Sequence, residues 1–283
     1  MTTLFTEVSE SDAITTYRLG APVWSGKTTA GVDVLIADST TYDRMLFLDG
    51  ELQSAGSDEH IYHESLVHPA MCGVGKGARV LVVGGGEGAT VREVLRWAPA
   101  TVDWVDYDKE LVDACRIHLH WAPTVYTNPV VHYVAADIRD VLTDMTIYDA
   151  IILDLPDPDG ETGYLYSEEF WYDMCKHVRV GGRIVSHCGP VRPFGSVGGG
   201  FTRVRDSSQA GGLSWDSARF YQIGIPSFQG DWGFVVWSSG DGGPPNFVAD
   251  ADGLPEGLRV VDAVQLREFT EMPLVWRNAI SDS

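Results

Sequence analysis

The sequence predicts an α/β protein in which a small β-rich domain precedes a mostly parallel, doubly wound sheet. From about residue 79 to residue 238, strand-like and helical patterns alternate, as strands joined by crossover helices do. Residues 80–90, VLVVGGGEGAT, run four apolar residues into three glycines and then into a helical pattern. In that strand–turn–helix order a backbone comes close to a ligand. Residues 14 to about 55 carry β-branched and aromatic residues without a helical period. A chain of 283 residues has room for this division, which we draw at residues 1–58 and 59–283.

Within the first part, ITTYRL, VDVLIA and MLFLDGELQ read as strands, and Asp49-Gly50 is a hairpin turn pair. EHIYHESLVHPAM predicts a helix from about residue 59, stopped by the glycines at 73–77. ARVLVVG is a strand, and TVREVLRWA a helix with Val91, Val94, Leu95 and Ala98 on one face. VDWVDYD, VVHYVAAD and YDAIILD are strands, while KELVDACRIHL and SEEFWYDMCKHV are helices. GGRIVSHCG, YQIGIP and WGFVVWSS complete the sheet. Residues 195–212 hold six glycines, at 195, 198, 199, 200, 211 and 212, where a crossover helix would fit. Their density predicts a flexible surface loop.

Forty acidic residues against 20 basic give a formal charge of −20. Nucleic acid and anionic membrane would meet a like-charged surface and are excluded as partners, whereas a cationic ligand is attracted. Cys72, Cys115, Cys175 and Cys188 show no CxxC spacing and read as free thiols of a reducing compartment. MTTLFTEVSESD lacks the basic start and apolar stretch of a signal peptide, and no apolar run approaches the roughly 20 residues that span a bilayer. These features predict a cytoplasmic protein. No metal site and no prosthetic group are expected.

Ligands of doubly wound sheets bind outside the carboxyl ends of the strands, and four predicted strands deliver a carboxylate to that edge: Glu87, Asp106, Asp137 and Asp154. Asp106 lies 22 residues after Gly84, close to the spacing of an acid that accepts from ribose hydroxyls. Asp137 can accept from an adenine amino group while Ile138 packs on the ring. Each acid has a plainer alternative as a helix cap. Glu87, in the turn formed by Gly84, Gly85 and Gly86, would repel a phosphate, so the pattern points to an adenosine ligand that carries a cation instead. In Asp154-Leu155-Pro156-Asp157-Pro158 two prolines stiffen a loop bearing two carboxylates, which can bind an amine and take a proton from it.

With these motifs in place, the chain resembles the polyamine aminopropyltransferases, the spermidine, spermine and thermospermine synthases. The resemblance covers about residues 30–190 and 225–240 and is carried by LFLDGELQSAGSDEHIYHESLVHPAM, VVGGGEGATVREVLR, VDYD, AADIRD, LDLPDP and IPSFQGDWGF. Glu87, the LVHPA run, DLPDP and IPSF look closer to the thermospermine synthase branch; typical spermidine synthases carry aspartate at the glycine loop. The resemblance implies a Rossmann-like, class I methyltransferase-type fold and a homodimer or homotetramer. It also implies decarboxylated S-adenosylmethionine as co-substrate and a polyamine as acceptor. Carried over by position, Glu87 holds the amine of the aminopropyl chain, Asp106 the ribose and Asp137 the adenine. Gln53 and His63 line the co-substrate side, Tyr62 flanks the reacting centre, Asp154 is the acid–base residue and Asp157 binds the acceptor. Phe228 and Trp232 wall the polyamine methylenes. Val32 stands where many spermidine synthases have a glutamine. Two other readings stay open: an S-adenosylmethionine-dependent methyltransferase, and a polyamine- or nucleoside-binding protein without catalysis.

Overall fold

The computed structural model describes residues 3–8, 14–156, 160–191, 199–240 and 242–271. Its first part is an antiparallel sheet of β1 (Thr3–Val8), β2 (Ile14–Lys27), β3 (Asp33–Ser39), β4 (Asp43–Leu48) and β5 (Glu51–Ala55), hydrogen-bonded in that order. Asp49 and Gly50 both take positive φ, 48° and 91°, so the β4–β5 hairpin has the turn its sequence predicts. The outer strands curl toward each other. Glu7 on β1 accepts the Leu52 N–H of β5 at 3.0 Å and the Tyr17 hydroxyl at 3.1 Å.

The second part opens with α1 (Glu59–Cys72), followed by β6 (Arg79–Gly84), α2 (Ala89–Leu95), β7 (Thr101–Asp106), α3 (Lys109–His118), β8 (Val131–Ala135), α4 (Ile138–Val141) and β9 (Tyr148–Asp154). Then come α5 (Glu168–His177), β10 (Val178–Pro190), α6 (Gly199–Ala210), β11 (Ala218–Ile225), β12 (Gly230–Ser238), α7 (Phe247–Asp250) and α8 (Ala263–Glu268). The sheet order is β11-β12-β10-β9-β6-β7-β8, parallel except where β12 runs antiparallel to both neighbours. This is the Rossmann-like, doubly wound architecture expected. Alternation along the strands divides the core. Leu81 and Val83 of β6 face α5 and α6 with Phe170, Trp171 and Phe201, while Val80 and Val82 face α1 and α2 with Leu66, Met71, Val91 and Val94.

The structure adds β1, α4, α7 and α8 to the elements read from the sequence, ends α2 at Leu95 so that Ala98 stands outside it at φ 47°, and differs outright at one element. The glycine-rich stretch includes the helix α6 over Gly199–Ala210 where a flexible loop is expected. The described glycines lie at its ends: 199 and 200 open it, and Gly212, at φ 100°, closes it with Leu213 N–H returning to the Ser208 carbonyl at 2.9 Å. Phe201, Val204 and Ser208, one turn and two turns apart, supply its buried face. Glycine density hid a short amphipathic pattern whose interior contains no glycine.

Two buried groups fix α1, the helix on which the site depends. Pro69 inside it cannot donate to the Ser65 carbonyl, and the Tyr221 hydroxyl does so instead at 2.8 Å. The buried Glu64 carboxylate accepts the backbone N–H groups of Arg259, Val260 and Val261 at 2.8–3.1 Å, tying the C-terminal segment to the helix. Replacing Glu64 by Ala is expected to cost about 3 kcal/mol in urea unfolding and to speed hydrogen exchange at 259–261 first, since hydrogen bonds to a charged group contribute about 1.5–3 kcal/mol each and share one carboxylate here. Unchanged exchange at those amides would contradict this account.

Candidate active site

The site forms where the ends of β6 and β9 converge. Gly84 pairs with Asp154 in the parallel ladder, and the Gly85 N–H donates to the Asp154 carbonyl at 2.9 Å. A Cβ on Gly84, whose φ is 79°, would lie 2.1 Å from that carbonyl oxygen. A Cβ on Gly85 would lie 2.8 Å from Asp154 Oδ2, and one on Gly86 would lie 3.2 Å from Asp106 Oδ2. The three glycines thus let two carboxylates crowd the turn, and Glu87 follows directly. Gly84→Ala is expected to destabilise the fold by several kcal/mol through backbone strain and clash, lowering the midpoint of thermal unfolding. A variant as stable as the parent would refute the close approach.

Glu87 is buried, and its Oε1 accepts from His63 Nε2 at 2.6 Å and from the Ser54 hydroxyl at 3.2 Å. The other ring nitrogen of His63, Nδ1, faces Glu59 Oε2 at 2.9 Å and the Glu59 carbonyl at 2.7 Å. With acceptors on both sides the ring is an imidazolium. Arg92 completes the row, donating through Nη1 and Nη2 to the two Glu59 oxygens at 2.9 Å each. Burial alone would deprotonate His63, but Glu87 and Glu59 hold its pKa well above the ordinary imidazole range. Burial would raise Glu59 too, yet the His63 and Arg92 donors hold it at about 2. At Glu87 burial prevails and pushes the carboxyl above its usual range, with His63 opposing and Asp154 and Glu59 adding to the effect.

Asp106, at the end of β7, is buried and accepts the Asp108 N–H through Oδ1 at 2.9 Å. Burial pushes its pKa up to about 7 against that hydrogen bond, helped by the charges of Asp108 and Asp154. Asp108 in turn accepts from Thr28 of the first sheet at 2.7 Å. Asp137 caps α4: Oδ1 accepts the Arg139 N–H at 2.9 Å, the Arg139 guanidinium pairs with both oxygens at 3.0 and 2.6 Å, and Tyr164 donates to Oδ2 at 3.0 Å. Its hydrogen bond to Arg139 is the main cause that lowers its pKa. Ile138 is packed in the core beneath.

Asp154 Oδ1 accepts the Tyr62 hydroxyl at 2.8 Å and Oδ2 the Thr90 hydroxyl at 2.5 Å. The Tyr62 ring lies 5.4 Å from Phe234, 6.0 Å from His187 and 6.4 Å from Phe228. Trp232 stacks on His187 at 6.1 Å and meets Phe228 at 4.7 Å. His187 Nδ1 accepts the Gly189 N–H at 3.2 Å, and its Nε2 bonds the Leu155 carbonyl, next to the strand end. The 226–229 turn bearing Phe228 is pinned by Asp58, which accepts the Ser227 N–H at 2.7 Å, and by Tyr17, which donates to the Ser227 carbonyl at 2.9 Å.

The structure therefore brings Tyr62, His63, Glu87, Asp106, Asp154, Phe228 and Trp232 to one edge. Gln53 is not brought to this group by any contact among the described residues: it donates to the Glu51 carbonyl at 3.5 Å, while its strand neighbour Ser54 reaches Glu87. Asp157 lies outside the described residues. Sequence reasoning missed Ser54, Glu59, Thr90, Arg92 and His187. Glu59 and His63, four apart on a predicted helix, carried a usable signal; Thr90 and His187 carried none.

Comparison with known proteins assigns the class. Residues 59–243 match the spermine/spermidine synthase domain, and the chain belongs to that family. It is 36% identical over 252 residues to polyamine aminopropyltransferase 2 of Pseudomonas aeruginosa, covering 82% of this chain and 67% of that protein. It is 34% identical to the polyamine aminopropyltransferase of Synechococcus sp. strain JA-2-3B'a(2-13), covering 88% and 84%. The fold is similar to that of spermidine synthase in complex with the transition state analogue AdoDATO, with a TM-score of 0.88 at 20% identity over 99% of this chain and 96% of that one. Spermidine synthase from Thermotoga maritima gives a TM-score of 0.85 at 19% identity, over 99% and 94%.

The buried charge row makes a prediction about pH. His63 binds its proton more tightly folded than unfolded, so its contribution is complete below about pH 6.5 and is lost as the pH rises through the folded value. Glu59 works in the opposite sense: its contribution is present above about pH 4.3 and is lost as the pH falls toward 2. The destabilisation caused by His63→Gln, about 3–5 kcal/mol for a broken buried pair, is expected to be largest near pH 5–6.5 and to shrink on the alkaline side. Urea unfolding at a series of pH values measures it, and a difference that grows with pH would overturn the imidazolium assignment.

Proposed function

We propose that this chain is an aminopropyltransferase that moves the aminopropyl group of decarboxylated S-adenosylmethionine to a polyamine and releases 5′-methylthioadenosine. One observation carries the reading: Glu87, Asp106 and Asp154 converge on a single glycine turn, and the Tyr62 hydroxyl holds Asp154 beside an aromatic wall. On this reading the donor's primary ammonium goes to Glu87, whose Oε1 is already engaged by His63 and Ser54, leaving Oε2 for the ligand. Asp106 takes the ribose through Oδ2, since Oδ1 is committed to Asp108. Asp137 is assigned to the adenine side with Ile138 beneath it, and Arg139 and Tyr164 then have to share Asp137 with the base. Gln53 borders the donor, Asp157 the acceptor, and Phe228 and Trp232 the acceptor's methylenes.

The reaction is an in-line displacement at the carbon beside the sulfonium. A C–N bond forms as the C–S bond breaks, and the sulfur leaves as a neutral thioether without needing an acid. The nucleophile needs help instead. An alkylamine with a pKa of about 10.4 is almost entirely ammonium near neutrality, and the surrounding carboxylates favour that form further. Asp154 accepts the proton that the attacking nitrogen must lose, and the aromatic wall directs the lone pair. Orientation of this kind lowers a barrier by up to about 7–11 kcal/mol in ideal cases.

Within the family, we favour the thermospermine synthase branch, supported by Glu87 in place of aspartate and by the DLPDP loop, with spermidine as acceptor and putrescine as the alternative. We also assign the domain boundary to 58/59, a cytoplasmic location consistent with four free thiols, and a homodimer or homotetramer.

The deciding assay incubates the protein with decarboxylated S-adenosylmethionine, or with S-adenosylmethionine, and offers putrescine, spermidine and agmatine in parallel, with products identified by mass. Gain of an aminopropyl unit with release of methylthioadenosine is expected, and chromatography against spermine and thermospermine standards assigns the branch. A methylated product would replace this reading with a methyltransferase, and binding without turnover with a binding protein. Asp154→Asn is expected to lose nearly all turnover while keeping donor affinity, and the rate of the parent to rise toward about pH 8–9 as the amine deprotonates. A flat rate from about pH 6 to 9 with chemistry limiting would count against proton removal by Asp154.

A further inference from the structure

Thr90 is a hydroxyl in an apolar setting. It is fully buried in the first turn of α2 between Ala89 and Val91, which are equally buried. A helical threonine ordinarily bonds back to the carbonyl one turn earlier. Here Oγ1 crosses to the end of β9 and donates to Asp154 Oδ2 at 2.5 Å, at the short end of hydrogen bonds to a carboxylate. Gly85 keeps that path open, because a Cβ there would stand 2.8 Å from the same oxygen. Tyr62 holds Oδ1 from α1 at 2.8 Å. Hydroxyls from two different helices therefore fix the two oxygens of one carboxylate, and each oxygen keeps a lone pair for a ligand.

We infer that Thr90 is a positioning residue for the base: its hydroxyl fixes the plane of the Asp154 carboxylate and aims the remaining lone pairs at the acceptor nitrogen. The inference rests on the proposed role of Asp154. The need arises from crowding, since Glu87 and Asp106 stand close enough to feel the Asp154 charge. Repulsion from those carboxylates would turn an unheld Asp154 side chain away from the turn. Hydroxyls on both oxygens, from Thr90 and Tyr62, oppose that rotation. During transfer the acceptor's N–H proton passes to the carboxylate as the C–N bond forms, and the resulting acid returns it to solvent afterwards.

The test compares the parent with Thr90→Val, which is nearly isosteric, and Thr90→Ser, which restores the hydroxyl. Carbon-13 carboxyl NMR of the ligand-free, aspartate-labelled protein, with Asp154 assigned by Asp154→Asn, reports the hydrogen bonding of its carboxylate. The Asp154 Cγ resonance is expected to move in Thr90→Val, which lacks the donor, and to stay near its parental position in Thr90→Ser. With the donor and acceptor that the activity assay identifies, Thr90→Val is expected to lower kcat on the order of tenfold at unchanged donor affinity, with Thr90→Ser keeping most of it. An unmoved Asp154 resonance in Thr90→Val, or a Thr90→Ser protein as impaired as Thr90→Val, would overturn the inference. The spectrum needs no substrate, so failure of the aminopropyltransferase reading and failure of this one give different results.

Discussion

The constraint on which the rest depends is the side-by-side ending of β6 and β9. Because Gly84 and Asp154 are ladder partners, the carbonyl of one strand end fills the space where a side chain on the other would project. That single close approach accounts for the glycines, for the positive φ at Gly84, and for the orientation of the Asp154 side chain over the turn. It also sets where α2 begins, and so brings Thr90 and Arg92 to opposite sides of the same turn. Parallel neighbouring strands put their carboxyl ends at one edge as a matter of topology, so the acids at 87, 106 and 154 gather without any long loop to carry them.

Gathering acids is costly, and the surrounding structure shows how the cost is distributed. Glu59 and Glu87 flank His63, Arg92 flanks Glu59, and Glu93 takes the Arg92 Nε at 2.7 Å, so charges alternate in sign along a row that crosses α1 and α2. Alternation leaves every charge in this row with an opposite neighbour, the condition under which buried ions are tolerated. Among the described residues Asp106 has no such cation, and burial pushes its carboxyl up to about 7. The row runs through the helix that Glu64 and Tyr221 anchor, so the C-terminal segment and the edge strand β11 support the site through α1.

How far the site could be read from sequence follows from which interactions are local. The acids at the strand ends were legible because strand periodicity and topology alone deliver them to one edge, and the glycine turn because no other residue fits it. Helix α6 was not legible, because two glycine clusters that bound a helix look like a loop when counted by density rather than by position. Asp137 was only partly legible. Its place at the edge followed from β8, but its hold on Arg139, two residues on, is the capping alternative realised together with an ion pair. Thr90 and His187 were invisible, because each gains its partner from a chain segment 64 and 32 residues away and neither sits in a charged or periodic pattern.

An acidic site of this kind is electrostatically incomplete. Glu87 and Asp106 are both raised by burial and by the Asp154 charge, so the ligand-free protein holds carboxylates more readily protonated than carboxylates in water. A cation entering beside Glu87 would reverse that balance, lowering the pKa of each neighbour by the same interaction that binds it. Binding of a positively charged ligand and ionisation of these acids are therefore coupled, each favouring the other. Because the coupling acts on the folded state alone, a bound cation also stabilises the fold by mass action. The charge of −20 works in the same direction at longer range, drawing cations toward the protein.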